Sequence, residues 1–372
     1  MSDSFRRGQE LLGRVALVVG SLLAVALAAE GALRLAGYTP ARSQGPGELY
    51  GARERLFLDC YPSNPRRYFD VDLRQPAVRD AYTARGVAGV DAVAARAPYA
   101  VEFRYNALFF RERDLAAKAP GVIRVVLLGD SFTEGQGVKE NDTTARRLEG
   151  LLNASGDRRW EVLNCARRGA DFPSLHKMFE KILPFEPDIV VHAMVLNDAE
   201  RSNELEARRG AMNDWILDRR RLVDGQASGR PAVVSSRLAD FVSDRVQSWR
   251  VGRETTRWYL DLYGPPNQEG WTRTQDEMRD MDRRLRERGG RFLVASWPLL
   301  VDLEAYPFAP ADQAIARFCQ ASGIPRVDLR TALAGHPAES LWVHPADHHP
   351  NEIAHRLAAE ALVEPVRGLA SR

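Results

Sequence analysis

Apolar positions along the chain form one long unbroken run and then a series of short blocks. The run comes first: residues 15–29 read VALVVGSLLAVALAA, without a charge, and the apolar character continues to Ala36 past Glu30 and Arg34. A helix crosses a bilayer core in roughly 20 residues, so residues 15–36 reach that length when the two charges are tolerated. Glu30 and Arg34 stand four apart on one helical face, where they can pair or reach an interface. Beyond the run, VIRVVLLG (122–129), WEVLNCA (160–166), DIVVHAMV (188–195), RFLVASWP (291–298) and RVDL (326–329) predict five short strands. The first reads as a strand covered on both faces. Helical spacing predicts helices over 143–153, 173–183, 310–322 and 350–370. Strands alternating with helices in this way imply an α/β domain: a mainly parallel, five-stranded sheet with helices on both faces.

Two regions depart from this regularity. Residues 39–47 are rich in Pro, Gly and Ser and read as a tether, followed to about residue 120 by a mixed segment with an aromatic, arginine-rich patch at 99–113. Alternation in Val101-Glu102-Phe103-Arg104-Tyr105 predicts a strand there. Residues 199–289 form a long polar excursion in which arginines interleave with Trp215, Trp249, Trp258, Tyr259, Tyr263 and Trp271. It reads as a helical insertion that packs over the sheet edge and shapes a pocket. Its last part, 276–287, predicts a solvated helix with Asp280–Arg284 and Asp282–Arg286 pairs. The chain thus divides into a tail and apolar helix (1–38), a tether and accessory segment (39–120), and a main domain (121–372).

Composition narrows the function. Fifty-two Lys and Arg against 50 Asp and Glu leave a net charge of +2, unlike a dedicated nucleic-acid binder. Three cysteines, Cys60, Cys165 and Cys319, exclude a disulfide-rich scaffold and a four-cysteine zinc site. Arg6, Arg7 and Arg14 precede the apolar run and place the short tail in the cytoplasm and the rest of the chain outside it. The alternative to an anchor is a cleaved leader, since Ala26-Leu27-Ala28 resembles a small-residue cleavage site. Both readings export the main domain.

The sharpest chemical signal lies at the end of the first predicted strand, in Gly129-Asp130-Ser131-Phe132-Thr133-Glu134-Gly135. A serine between a buried strand and a helix stands at the carboxyl edge of a parallel sheet, where open α/β folds bind ligands. Residue 133 is Thr, so this is not the G-x-S-x-G elbow, and no Gly-Lys-Ser/Thr makes it a phosphate loop. A serine nucleophile needs a base. Of the seven histidines, His344, His348, His349 and His355 cluster near the carboxyl terminus, and Asp347-His348-His349-Pro350-Asn351 leads into the last helix. An Asp close to a His can fix its tautomer and leave the other nitrogen for the serine. Asn197-Asp198, past the third strand, offers an amide to an oxyanion with Asp198 supporting the loop, and Gly169, after the second strand, offers a backbone N–H. A zinc reading of the histidine cluster is disfavoured, because adjacent histidines rarely face one ion and no H-E-x-x-H helix exists.

In order and placement these blocks resemble the SGNH (GDSL-like) hydrolase superfamily over roughly residues 122–363. The resemblance implies a flavodoxin-like, three-layer α/β/α sandwich and a serine esterase without metal or cofactor. It makes Ser131 the nucleophile, His349 the general base and Asp347 the orienting acid. The Ser131 N–H, Gly169 and Asn197 become the oxyanion hole, with Asp130 and Asp198 in support. Two positions depart from the family pattern: Val195 replaces the glycine of the usual Gly-x-Asn-Asp, and Asp347 stands two rather than three before His349. Arg104-Tyr105-Asn106 and Tyr306-Pro307-Phe308 are similar to a membrane-anchored bacterial subgroup.

The resulting expectation is an esterase on the periplasmic or extracellular side of the cytoplasmic membrane, held by one pass through residues 15–36. Its substrate would be an acylated carbohydrate or another ester, acetyl groups on envelope or secreted polysaccharide above all, with envelope polysaccharide machinery as a partner. The alternatives are an acyltransferase using the same residues and a non-catalytic glycan-binding scaffold in which Trp258, Tyr259 and Trp271 stack on sugars.

Overall fold

The computed structural model describes residues 2–38, 104–154, 156, 158–209, 236–344 and 347–371. The tether at 39–47, Cys60, Trp215 and most of the strand expected over 101–105 lie outside them; Arg104 and Tyr105 are not in a strand. The chain falls into two compact units, one formed by 1–51 with 211–254 and the other by 52–210 with 255–372.

The smaller unit holds helix α1 (Ser2–Leu35), whose stretch Leu12–Leu35 has a mean hydropathy of 2.2 with none of it buried. Length and composition suit a membrane span or a signal sequence alike. Glu30 pairs with Arg34 at 2.7 Å as expected. It has a second task that sequence spacing does not reveal. Its carboxylate accepts from the backbone N–H groups of Arg237 (3.0 Å) and Leu238 (2.8 Å) and from Ser236 Oγ (2.9 Å). The first N–H groups of a helix have no acceptor within it, and Glu30 supplies one for a helix (Arg237–Asp261) more than 200 residues away in sequence. Tyr38 meets Phe241 edge-on at 5.4 Å beside this contact.

The larger unit is the predicted α/β sandwich. Strands β1 (Val122–Gly129), β2 (Arg159–Asn164), β3 (Ile189–Met194), β4 (Arg291–Ser296) and β5 (Arg326–Asp328) form one parallel sheet in the order β2-β1-β3-β4-β5. In β1 alternate residues serve opposite layers. Val125 and Leu127 pack with Ala145, Leu148, Ala358 and Leu362 on one side, and Val126 and Leu128 with Phe172, Phe179, Met278 and Ile315 on the other. The chain runs outward from β1 to β2 and then crosses to β3 on β1's other side, so the switch point lies between β1 and β3, and ligands of such sheets bind at the carboxyl ends there. Ser131 follows β1 and Asn197 follows β3.

Between β3 and β4 the described residues include the long helix Arg237–Asp261 and a second, Gln268–Arg286. The latter differs from the solvated helix expected over 276–287. Trp271, Thr274, Met278, Met281 and Leu285 recur every three or four residues and bury one face, so this helix is the crossover that covers the sheet before β4. The expected pairs do form, Asp280–Arg284 at 3.4 Å and Asp282–Arg286 at 2.8 Å, the second with a buried aspartate. A short antiparallel hairpin, Trp342–His344 with Asp347–Pro350, was not legible in the sequence pattern. Asn351 then caps the last helix, Glu352–Ala370, by accepting from the N–H groups of Ile353 and Ala354. Cys165 and Cys319 are buried free thiols.

Candidate active site

Gly129, the last residue of β1, has no room for a side chain: a Cβ there would stand 2.4 Å from Thr133 Oγ1 and 2.9 Å from the Ala193 carbonyl. The chain turns immediately into the four-residue helix Ser131–Glu134, capped by Asp130, whose carboxyl accepts from the Phe132 N–H at 2.9 Å. The turn ends at Gly135, in the left-handed region at φ +82°. Arg111 holds this exit from the turn. Its buried guanidinium donates to the carbonyls of Gly135 (2.7 Å), Val138 (2.8 Å) and Glu134 (3.2 Å). Arg111, from the arginine-rich patch before β1, is therefore scaffolding for the serine loop. Asn106 shapes it by accepting from the N–H groups of Leu108 and Phe110, while Phe109 takes a left-handed φ of 64°.

Ser131 Oγ and His349 Nε2 are 2.8 Å apart, although 218 residues separate them. The hairpin delivers the histidine. Its first strand is held by Trp342, whose Nε1 donates to the Leu300 carbonyl at 2.8 Å, and Val343 packs so closely on Gly137 that a Cβ there would lie within 2.8 Å of it. Phe132 supports the His349 ring edge-on at 5.2 Å. The other histidines diverge: His348 stacks on Trp342 at 3.7 Å, His355 is buried with Nδ1 2.8 Å from Thr144 Oγ1, and His176 meets Asp280 at 3.2 Å. Asp347 is the first residue of the hairpin's second strand; its side chain and that of His344 lie outside the described ones.

Asn197 sits in a single helical turn, Leu196–Asp198, and its Nδ2 donates to Asp130 Oδ2 at 3.0 Å. Asp198 reaches back to accept from the Val195 N–H at 2.9 Å. Val195 itself is extended, φ −107°, so the loop does not need the family's glycine at this position. Gly169 occupies the third place of a turn in which Ala170 N–H donates to the Arg167 carbonyl at 3.1 Å. Its φ of +72° calls for glycine while nothing crowds its missing Cβ. The Arg167 N–H binds the Gly129 carbonyl at 3.0 Å, tying this turn to the end of β1.

A buried ionisable cluster lies beneath. Burial, reinforced by the charge of Asp198, pushes Asp130 up to about 7, against the opposing donors Asn197 and Phe132. Burial likewise pushes Asp198 well above the carboxylate range and His192 down to about 3. His192 Nε2 stands 3.3 Å from Asp198 Oδ2, and both shifts favour a neutral pair at that contact. A carboxyl raised on folding, as Asp130 is, favours the folded state below its unfolded value near 3.8, and that contribution is lost as pH rises through 7. Asp198 acts in the same direction. His192 acts oppositely: its contribution is present above the unfolded histidine range and lost as pH falls towards 3. Asp130→Asn is therefore expected to gain thermal stability relative to the wild type as pH rises from about 4 to about 8. A difference in midpoint that stays constant across that range contradicts the assignment.

A parallel sheet of this order, with a serine after β1 touching a histidine from the carboxyl-terminal hairpin, defines an α/β acylhydrolase. The chain belongs to the GDSL-like lipase/acylhydrolase family, whose model matches residues 127–357, and it is an SGNH/GDSL-type esterase. Among solved structures it is similar to LAE5, an alpha/beta hydrolase enzyme from the Lake Arreo metagenome, at 14% identity over 68% of this chain and 98% of that one, TM-score 0.41. It is also similar to Axe2, an acetylxylan esterase from Geobacillus stearothermophilus, at 12% identity over 68% of this chain and 95% of that one, TM-score 0.41. A lipase/acylhydrolase from Enterococcus faecalis matches at 14% identity over 66% of this chain and 96% of that one, TM-score 0.40. No curated protein sequence matches the chain.

Proposed function

We propose that the chain is a membrane-anchored serine esterase that removes short acyl groups, acetyl above all, from a glycan outside the cytoplasm. The observation that carries the catalytic part is the 2.8 Å contact between Ser131 Oγ and His349 Nε2. Ser131 attacks the ester carbonyl, and His349 takes its proton and returns it to the departing alcohol. Water, activated by the same histidine, then releases the acyl group. Asp347 orients the imidazole; two places along an extended strand is a spacing that keeps both positions on one face. The tetrahedral oxyanion is met by the N–H groups of Ser131 and Gly169 and by the Asn197 amide. An asparagine amide carries two N–H donors, so the one given to Asp130 aims the group and leaves the second for the substrate. Asp198 supports the loop through Val195.

The anchor reading rests on helix α1, whose stretch Leu12–Leu35 is long and apolar enough to cross a bilayer and has none of its length buried in the protein. Glu30 lies beyond Ala28, so its contact with the Arg237 and Leu238 N–H groups stays with the chain in either reading. Placement beyond the membrane, beside envelope glycans that carry O-acyl esters, favours a glycan substrate, and this part rests on location and family analogy. Against the binding-scaffold alternative, Trp258 and Trp271 are buried in the core, and Tyr259 is half-buried against it.

The test is hydrolysis by the full-length chain in detergent of p-nitrophenyl acetate, butyrate and octanoate and of an acetylated polysaccharide, with the intact mass of the same preparation read first. Turnover falling with chain length, free acetate from the polysaccharide and a mass retaining residues 1–38 are expected. Preference for octanoate overturns the short-acyl reading, radiolabelled acetyl moving to a glycan hydroxyl indicates transfer, and a mass starting near Ala29 removes the anchor.

A further inference from the structure

Glu134, the last residue of the serine's own helical turn, is fully buried although it carries a carboxyl group. Its turn closes back on the nucleophile, where the Gly135 N–H donates to the Ser131 carbonyl at 3.2 Å. The Glu134 carboxylate is met by two side chains from different parts of the chain. Arg168 Nε donates to Oε2 at 2.7 Å, and the Tyr105 hydroxyl donates to Oε1 at 3.0 Å. The ring closes because Arg168 Nη2 donates to the Tyr105 oxygen at 2.8 Å. Every bond uses a proper donor and acceptor, since a phenol donates once and still accepts. Arg168 precedes Gly169 in the turn after β2, and Tyr105 lies ahead of residues 127–357, the stretch shared with the family.

We infer that Glu134, Arg168 and Tyr105 are positioning residues that fix the Gly169 turn against the serine turn, setting where the Gly169 N–H stands relative to Ser131 Oγ. The inference rests on the reading of Gly169 as an oxyanion donor. A buried ion pair is a poor source of net stability compared with apolar packing but defines one geometry between the elements it joins. Here those elements are the nucleophile's turn and the second donor's turn, which are also tied through the Arg167 N–H on the Gly129 carbonyl. The planar guanidinium is suited to the task, because one rigid group reaches both Glu134 and Tyr105; a lysine ammonium at the same place is a point charge on a flexible stem. The accessory segment before the family's shared core thereby becomes part of the catalytic apparatus without touching substrate.

Three variants of the full-length chain in detergent, Arg168→Lys, Glu134→Gln and Tyr105→Phe, test this with kcat and KM on p-nitrophenyl acetate, the rate of fluorophosphonate labelling, and the thermal midpoint. Arg168→Lys and Glu134→Gln are expected to lower kcat and labelling rate about 10- to 100-fold, the scale of a small misplacement, with KM within about twofold. Tyr105→Phe, which removes one oxygen, is expected to lower them about three- to tenfold. Wild-type kcat and labelling rate in a folded variant whose midpoint alone falls overturns the inference, and Tyr105→Phe carries the test if the charged variants do not fold. Ser131→Ala run beside them separates the two failures. An unimpaired Ser131→Ala removes the active-site reading itself, while an inactive Ser131→Ala with an unimpaired Arg168→Lys removes only the positioning role.

Discussion

Ser131→Ala is expected to lower kcat/KM by at least about 10⁴-fold while leaving the thermal midpoint close to that of the wild type. The substitution deletes one oxygen from a side chain that is 8% exposed at the end of β1, and the turn around it is held by other atoms. Asp130 caps it, Arg111 binds the carbonyls at its exit, and Gly129 packs on Thr133 and Ala193. His349→Ala is expected to cost a similar factor, and the double variant little more than either single one, because a nucleophile and its base act as a unit. Steady-state kinetics on p-nitrophenyl acetate checks all three. Additive losses in the double variant would mean that the two residues work independently in spite of their 2.8 Å contact.

The second large effect is expected at Asn197. Loss of one oxyanion donor lowers kcat by about 10²- to 10³-fold, and Asn197→Ala should do so with little change in KM, since the amide acts on charge that develops only in the transition state. The variant has a second consequence, independent of the oxyanion role, through the hydrogen bond to Asp130. Asp130 loses the donor that, together with the Phe132 N–H, stabilises its ionised form, so its titration moves further above about 7. A stability profile of Asn197→Ala should thus lose its pH dependence at higher pH than the wild type does. An unchanged kcat would remove Asn197 from the oxyanion hole and leave it the role of a cap on Asp130.

Much of the fold was legible because its strands are apolar runs bounded by turns: 122–129 was read to the residue, and the other four strands to within one or two. The serine and histidine were legible from type and order, and the contact between them is what folding adds. Other features were not readable for physical reasons. The hairpin that carries His349 is built from WVH and DHHP, too short and too polar for alternation to show, and it exists through Trp342 on Leu300 and Val343 on Gly137. The helix Gln268–Arg286 is so rich in charge that its pairs hid the Met278, Met281 and Leu285 stripe beneath. Val195 looked like a fault in the Asn-Asp loop; its extended backbone makes glycine unnecessary there. Arg111, Glu134 and Arg168 are single charged letters in a highly charged chain, and only the folded arrangement distinguishes them from the many charged residues at the surface.

The most direct measurement is peptide mapping after a fluorophosphonate has reacted with the full-length chain. The account predicts a single adduct on Ser131, lost in Ser131→Ala and formed far more slowly in His349→Ala. An adduct on another residue, or labelling that Ser131→Ala leaves unchanged, would contradict it.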